Sequence, residues 1–131
     1  MELLQNFQMH AGNLSLYQNK QDGKWHNLVN DPSTFTETSA TAMILTAVLR
    51  GLEYGWLNDG YLTVAQNAWN GLKSSIDLDG TVHDIIGETG IKNTSDDYQP
   101  ESTKYMNAAP GLGAVLRALA AVTKSSIDFE K

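Results

Sequence analysis

Residues 42–52 read AMILTAVLRGL, and their apolar side chains cover almost the whole circumference of a helix. Such a helix leaves little face for water and has to be enclosed by neighbours on several sides. The residues around it are therefore read for what encloses it. Asp22-Gly23 signals a turn, Trp25 and His26 stand side by side, and Asn30-Asp31-Pro32 signals a second turn. Thr34 and Glu37 have the S/T-x-x-E spacing of a capping box, which predicts a helix over 35–56 launched by these two side chains. Gly51, Gly55 and Asn58-Asp59-Gly60 wind it down.

Gly111 to Val122 is a second segment that is apolar on every side, with Pro110 placed for a first helical turn. Two amphipathic helices are predicted as well. Residues 2–18 carry a stripe of Leu3, Phe7, His10/Ala11, Leu14 and Tyr17, but have no capping residue ahead of them. Residues 61–76 carry Leu62, Ala65, Ala68/Trp69, Leu72 and Ile76. A β-branched run at 81–86 predicts a short strand, 87–107 a long loop, and the polar tail from Lys124 a frayed end. The expectation is an all-α chain, four main helices plus a short β element, forming a single domain over residues 1–131. Two of the four helices are too apolar for the surface of a four-helix unit. They imply a larger layered helical body or burial against a second copy.

Composition excludes more than it selects. Fifteen acidic against nine scattered basic residues give a formal charge of −6, so no nucleic-acid partner is expected. No apolar run is long enough to span a membrane, and the first residues lack a signal-peptide pattern. With no cysteine there is no disulfide and no thiol nucleophile. His10, His26 and His83 have no metal-ligand spacing, and an EF-hand register through Asp77 and Asp79 fails at Ile86, where Glu is needed. No metal and no cofactor are expected.

The polar candidates lie in the loops. Trp25 and His26 form an aromatic–imidazole pair suited to stacking on and hydrogen bonding a sugar, or to plugging the core with His at the surface. Asp31, Glu37, Asp84 and Glu88 are the carboxylates nearest the loops, and a glycosidase commonly uses two. Asp31 reads as a turn residue, Glu37 as the partner of Thr34, and Asp84 as the solvent face of a strand. Glu88, in Gly87-Glu88-Thr89-Gly90, has no evident structural duty.

These residues carry a resemblance. The run GKWHNLVNDPSTFTETSATAM, followed by YLTVAQNAWNGL, DGTVHDIIGETGI and YMNAAPGLGAVLRALAAV, resembles the unsaturated rhamnogalacturonyl hydrolases of glycoside hydrolase family 105 and the related unsaturated glucuronyl hydrolases of family 88. The resemblance covers nearly the whole chain in the family's order. It implies a partial (α/α)6 six-hairpin barrel, the chain being its C-terminal portion. It also implies a 4,5-unsaturated uronide oligosaccharide as partner, cleaved by hydration of a vinyl ether in which an Asp general acid protonates the double bond. That acid lies in the family's upstream part, so the catalytic residue is unknown here and activity of this chain is open. The resemblance implies Trp25 and His26 as substrate-binding residues; Glu88 and Tyr98 are further candidates from the loops. Glu37, Thr38 and Ser39 match the family's E-[TA]-S signature. Asp84-Ile85-Ile86-Gly87-Glu88-Thr89-Gly90 stands where a Cys-containing Gly-rich form is expected. The alternative is a non-catalytic helical module that forms a homo-oligomer or pairs with a separate N-terminal half. A third reading is an independent hydrolase using Asp84 and Glu88. Asn13-Leu14-Ser15 and Asn93-Thr94-Ser95 have the pattern of glycosylation acceptors, relevant to a secreted parent; the compartment is unknown.

Overall fold

A computed structural model describes residues 2–87, 90–98 and 104–129. Four α-helices dominate: α1 (Glu2–Leu16), α2 (Thr38–Glu53), α3 (Leu62–Ser74) and α4 (Ala109–Lys124). Two short antiparallel pairs join them, β1 (Trp25–His26) with β2 (Thr36–Glu37), and β3 (Ile85–Ile86) with β4 (Lys104–Tyr105). The all-α expectation holds. The pairing of 25–26 with 36–37 and the strand at 104–105 were not in it, because two-residue strands leave no alternation to read.

α2 is the centre, packed chiefly on α4 and α3. Its Ala42, Leu45, Val48 and Leu49 join Ala65, Ala68 and Leu72 of α3 and Val115 and Ala118 of α4 in one buried cluster, which Trp25, Val82 and Ile85 complete. α1 contributes no buried side chain. It is held by half-buried Phe7 and Ala11, by an edge-to-face contact of Phe7 on Trp56 at 6.0 Å, and by the Gln8 amide donating to the Trp56 carbonyl at 2.7 Å. The tail does not simply fray: Phe129 is buried against Trp69, with ring centroids 6.1 Å apart. A lone aromatic in a polar tail gives no periodic signal.

The start of α2 differs from the expected capping box. Glu37 is itself the capping residue, in extended conformation, and its carboxylate accepts from the Ser39 and Ala40 amides. Thr34 instead closes the preceding turn, its hydroxyl donating to the Asp31 carbonyl and accepting from the Leu28 amide. At the other end Gly55 takes φ +66, with both Trp56 and Leu57 amides returning to the Gly51 carbonyl. A Cβ at Gly55 would meet nothing within 4 Å. Gly55→Ala is therefore expected to cost only the left-handed backbone penalty, about 1 kcal/mol, read as a fall in urea midpoint at unchanged slope.

The connections sort by end. α2 and α3 are joined by a short turn that includes a 3-10 turn at Asp59–Tyr61. The connections after α1 and α3 are long and meet at the opposite end: the Thr38 amide donates to the Asp84 carbonyl, and the Asn107 amide to that of Val82. Both α2 and α4 start at this end, so they run parallel, with α1 and α3 antiparallel to them. The Asp22-Gly23 turn belongs to it too, and Gly23, at φ +75, lies so close to the Asn67 carbonyl of α3 that any Cβ would overlap it.

Candidate functional site

His26 marks the polar pocket at the loop end. In strand β1 neighbouring side chains point to opposite faces, so Trp25 goes inward and His26 outward. Trp25 was expected to line a cleft; it is instead fully buried, and its indole N–H donates to the Leu14 carbonyl at 2.7 Å. The pair read as a unit from the sequence is therefore split between core and pocket.

The pocket, about 470 Å³, is lined by Tyr17, Gln18, Asn19, Gln21, His26 and Asn30, with Leu16, Val29 and Pro32 as its apolar part. His26 Nδ1 is 2.6 Å from the Thr34 carbonyl, so that nitrogen carries the hydrogen. Nε2 then offers its lone pair toward the Asn19 amide at 3.3 Å, a long bond that a ligand hydroxyl can replace. Amide, phenol and imidazole groups around a partly apolar wall suit a sugar ring. Among the described residues lining the pocket there is no carboxylate; His26 and Tyr17 are its proton-bearing side chains.

The candidate carboxylates Asp31, Glu37 and Asp84 are each engaged by other groups. Glu37 is buried and accepts from the Ser39 amide at 3.1 Å, the Ala40 amide at 2.5 Å, the Ser39 hydroxyl at 2.8 Å and the Ile86 amide at 3.0 Å. It thereby ties the first turn of α2 to β3. Asp84 does not lie on the solvent face of a strand, as expected. It takes φ +54 just before β3, and its two oxygens each lie 3.4 Å from a lysine, Lys24 and Lys104. Lys24 is buried and also donates to the Ser75 hydroxyl at 3.0 Å, while Lys104 sits 5.3 Å above the Phe35 ring. This buried lysine went unnoticed in the sequence: Lys24 and Trp25 are adjacent and both buried, which breaks any alternation. Asp31 closes its turn as expected, accepting from Ser33.

Tyr98 stands across the loop end. Its carbonyl accepts from the Asn27 side chain at 3.1 Å and its hydroxyl from the Lys92 amide at 2.8 Å, so it braces the segment next to His26 and does not line the pocket. Glu88 lies outside the described residues. Asp77 and His83 pair at 2.6 Å on the surface, and the Thr81 amide donating to Asp79 holds that carboxyl below its ordinary value. Among the described residues no three His, Asp or Glu side chains converge as a metal site would require, and no helix is long and apolar enough to cross a membrane.

The fold recurs in known proteins. The chain superposes on a glycosyl hydrolase family 88 protein from Bacteroides vulgatus with a TM-score of 0.78 and 29% identity, covering 94% of this chain and 35% of that one. A possible member of glycoside hydrolase family 105 from Klebsiella pneumoniae gives 0.77 and 24%, over 92% of this chain and 30% of that one. Another from Salmonella enterica gives 0.73 and 24%, over 85% and 28%. This chain thus spans about a third of the length of the structures it matches, and its four helices are part of an (α/α)6 barrel. No curated protein matches it. The family model described as Glycosyl Hydrolase Family 88 matches residues 1–126, and the chain belongs to that family.

Proposed function

We propose that the chain is the C-terminal portion of a glycosidase that removes 4,5-unsaturated uronic acid from pectin-type oligosaccharides, supplying cleft residues and not the general acid. The observation that carries the reading is the pocket beside His26, lined by hydrogen-bonding side chains without a carboxylate. Family membership points to a carbohydrate. In this reading His26 Nε2, Asn19 and Gln21 hold sugar hydroxyls, and Tyr17 presents a ring edge. Tyr98 positions the segment that carries His26, and Glu88, outside the described residues, is the further candidate for contact with the sugar. Hydration of the vinyl ether needs a proton donor at the double bond, and that group belongs to the remainder of a family-length protein.

The test uses an unsaturated pectin disaccharide, whose conjugated double bond absorbs in the ultraviolet. The chain alone is expected to leave the absorbance constant, while titration shifts the His26 ring signals in NMR. His26→Ala is expected to weaken this binding about tenfold, the worth of one well-placed polar contact. Decay of the absorbance would show that the chain holds its own acid. Unmoved His26 signals would remove the sugar from this pocket.

A further inference from the structure

Lys24 stands two residues before His26 in the chain and is only 4% exposed. Its stem runs past Gly71 of α3, where a Cβ would overlap both Lys24 Cγ and the Asp22 carbonyl. The ammonium donates to the Ser75 hydroxyl at 3.0 Å and pairs with Asp84 Oδ2 at 3.4 Å. The other Asp84 oxygen faces Lys104 at 3.4 Å. A charge taken so far from water costs free energy that only an opposite charge and hydrogen bonds offset. For filling this slot alone, an apolar side chain of the same length would serve as well or better.

The backbone of the same residue reaches the pocket. The Lys24 carbonyl accepts from the Asn19 amide at 2.8 Å, and the Lys24 amide donates to Asp22 Oδ1 at 3.0 Å. Asn19 is the lining residue whose side chain meets His26 Nε2 at 3.3 Å. Asp22 also accepts from the Thr36 hydroxyl at 2.6 Å, on the strand paired with β1. Lys24 is thereby fixed from two sides, its ammonium by the connection after α3 and its peptide groups by the turn that carries Asn19. Asp84 is itself held, since at φ +54 its carbonyl accepts from the Thr38 amide at the start of α2 at 2.9 Å.

We propose that Lys24 and Asp84 are positioning residues for the His26 pocket, their ion pair holding Asn19 where a sugar hydroxyl meets it. The consequence for binding rests on the reading of that pocket as a sugar site; the tie between Lys24 and Asn19 does not. Lys24 does not line the pocket, so its effect on a ligand passes through Asn19. Without the Asp84 charge the ammonium is buried without its counter-ion. Residues 23–25 then shift to release it toward water, and the Lys24 carbonyl leaves the Asn19 amide.

Asp84→Asn isolates the charge, because it keeps the size and a side chain that adopts left-handed backbone readily. It is expected to weaken binding of the unsaturated disaccharide about tenfold. Hydrogen exchange at the Asn19 amide should quicken beyond the change in global stability. Lys24→Met keeps the stem and removes the ammonium; Asp84 retains Lys104, so the loss of affinity should be smaller, about threefold. In the Lys24→Met background Asp84→Asn should add nothing, since no buried ammonium remains to lose its partner. A role in folding alone would lower stability and leave both the affinity of the folded chain and the relative protection of Asn19 unchanged, which would overturn the proposal. So would an Asp84→Asn effect of the same size in both backgrounds. Should Asp84→Asn not fold, Lys24→Met against the wild type decides by the same two readouts. A wild-type chain that binds no disaccharide would sink the sugar reading alone, and exchange at Asn19 would still decide the positioning role.

Discussion

Trp25→Ala should lower the stability of the chain by about 4 kcal/mol, the usual cost of emptying a fully buried tryptophan site. The site is unusual in joining two parts of the molecule. The ring completes the cluster built by α2, α3 and α4, and its N–H holds the Leu14 carbonyl in the last turn of α1. Since α1 buries no side chain of its own, that hydrogen bond is one of few ties at its C-terminal end. Trp25→Phe separates the two effects. It keeps most of the apolar volume, leaves the Leu14 carbonyl without its donor, and is expected to cost about 1–2 kcal/mol. Urea unfolding at unchanged slope measures the stability loss. Equal losses in the two variants would show that the hydrogen bond, not the packing, is what matters at this position.

Glu37→Ala is the second large effect, expected at about 3 kcal/mol. The helix cap alone is worth about 1 kcal/mol. Beyond the cap, the Ile86 amide and the Ser39 hydroxyl are left without an acceptor in a buried place, at about 1–3 kcal/mol for such groups together. In thermal unfolding this corresponds to roughly 10 °C for a domain of this size. Glu37→Gln keeps one acceptor oxygen but turns an NH2 toward backbone donors, and should lie about halfway. The readout that distinguishes this arrangement from an ordinary cap is the β3 amides: faster hydrogen exchange at Ile86 in Glu37→Ala, beyond the change in global stability, is expected. Exchange at Ile86 that follows global stability alone would reduce Glu37 to a helix cap.

The sequence made the four helices legible because each repeats its apolar pattern for three or more turns. The bounds were less so. The helix expected from 35 begins at Thr38, because Phe35 to Glu37 can pair with Trp25 and His26, and that pairing lies outside any local pattern. Glu37 was read as the partner of a Thr34 cap and is instead the cap itself; its role as a tie to Ile86 depends on a contact 49 residues away. His26, half-buried in the structure, was legible as a polar residue beside a turn. Trp25 was assigned to the same cleft because the two are adjacent in sequence, whereas on a strand adjacency places them on opposite faces. Asp84 was read as lying on a strand face, but a left-handed bend there turns its carboxylate between two lysines. One of those, Lys24, was hidden by being a buried cation next to a buried tryptophan.

The parallel packing of α2 on α4 also bears on when the core can close. The 55 residues 54–108 separate these helices, α3 and the connection after it among them. Closing so wide a loop costs entropy before any contact offsets it. During synthesis α2 therefore leaves the ribosome with its apolar circumference only partly covered by α3, and stays so until the last helix has emerged. The chain's window of exposure to aggregation, and to any chaperone that binds apolar helices, is set by the time needed to translate that interval.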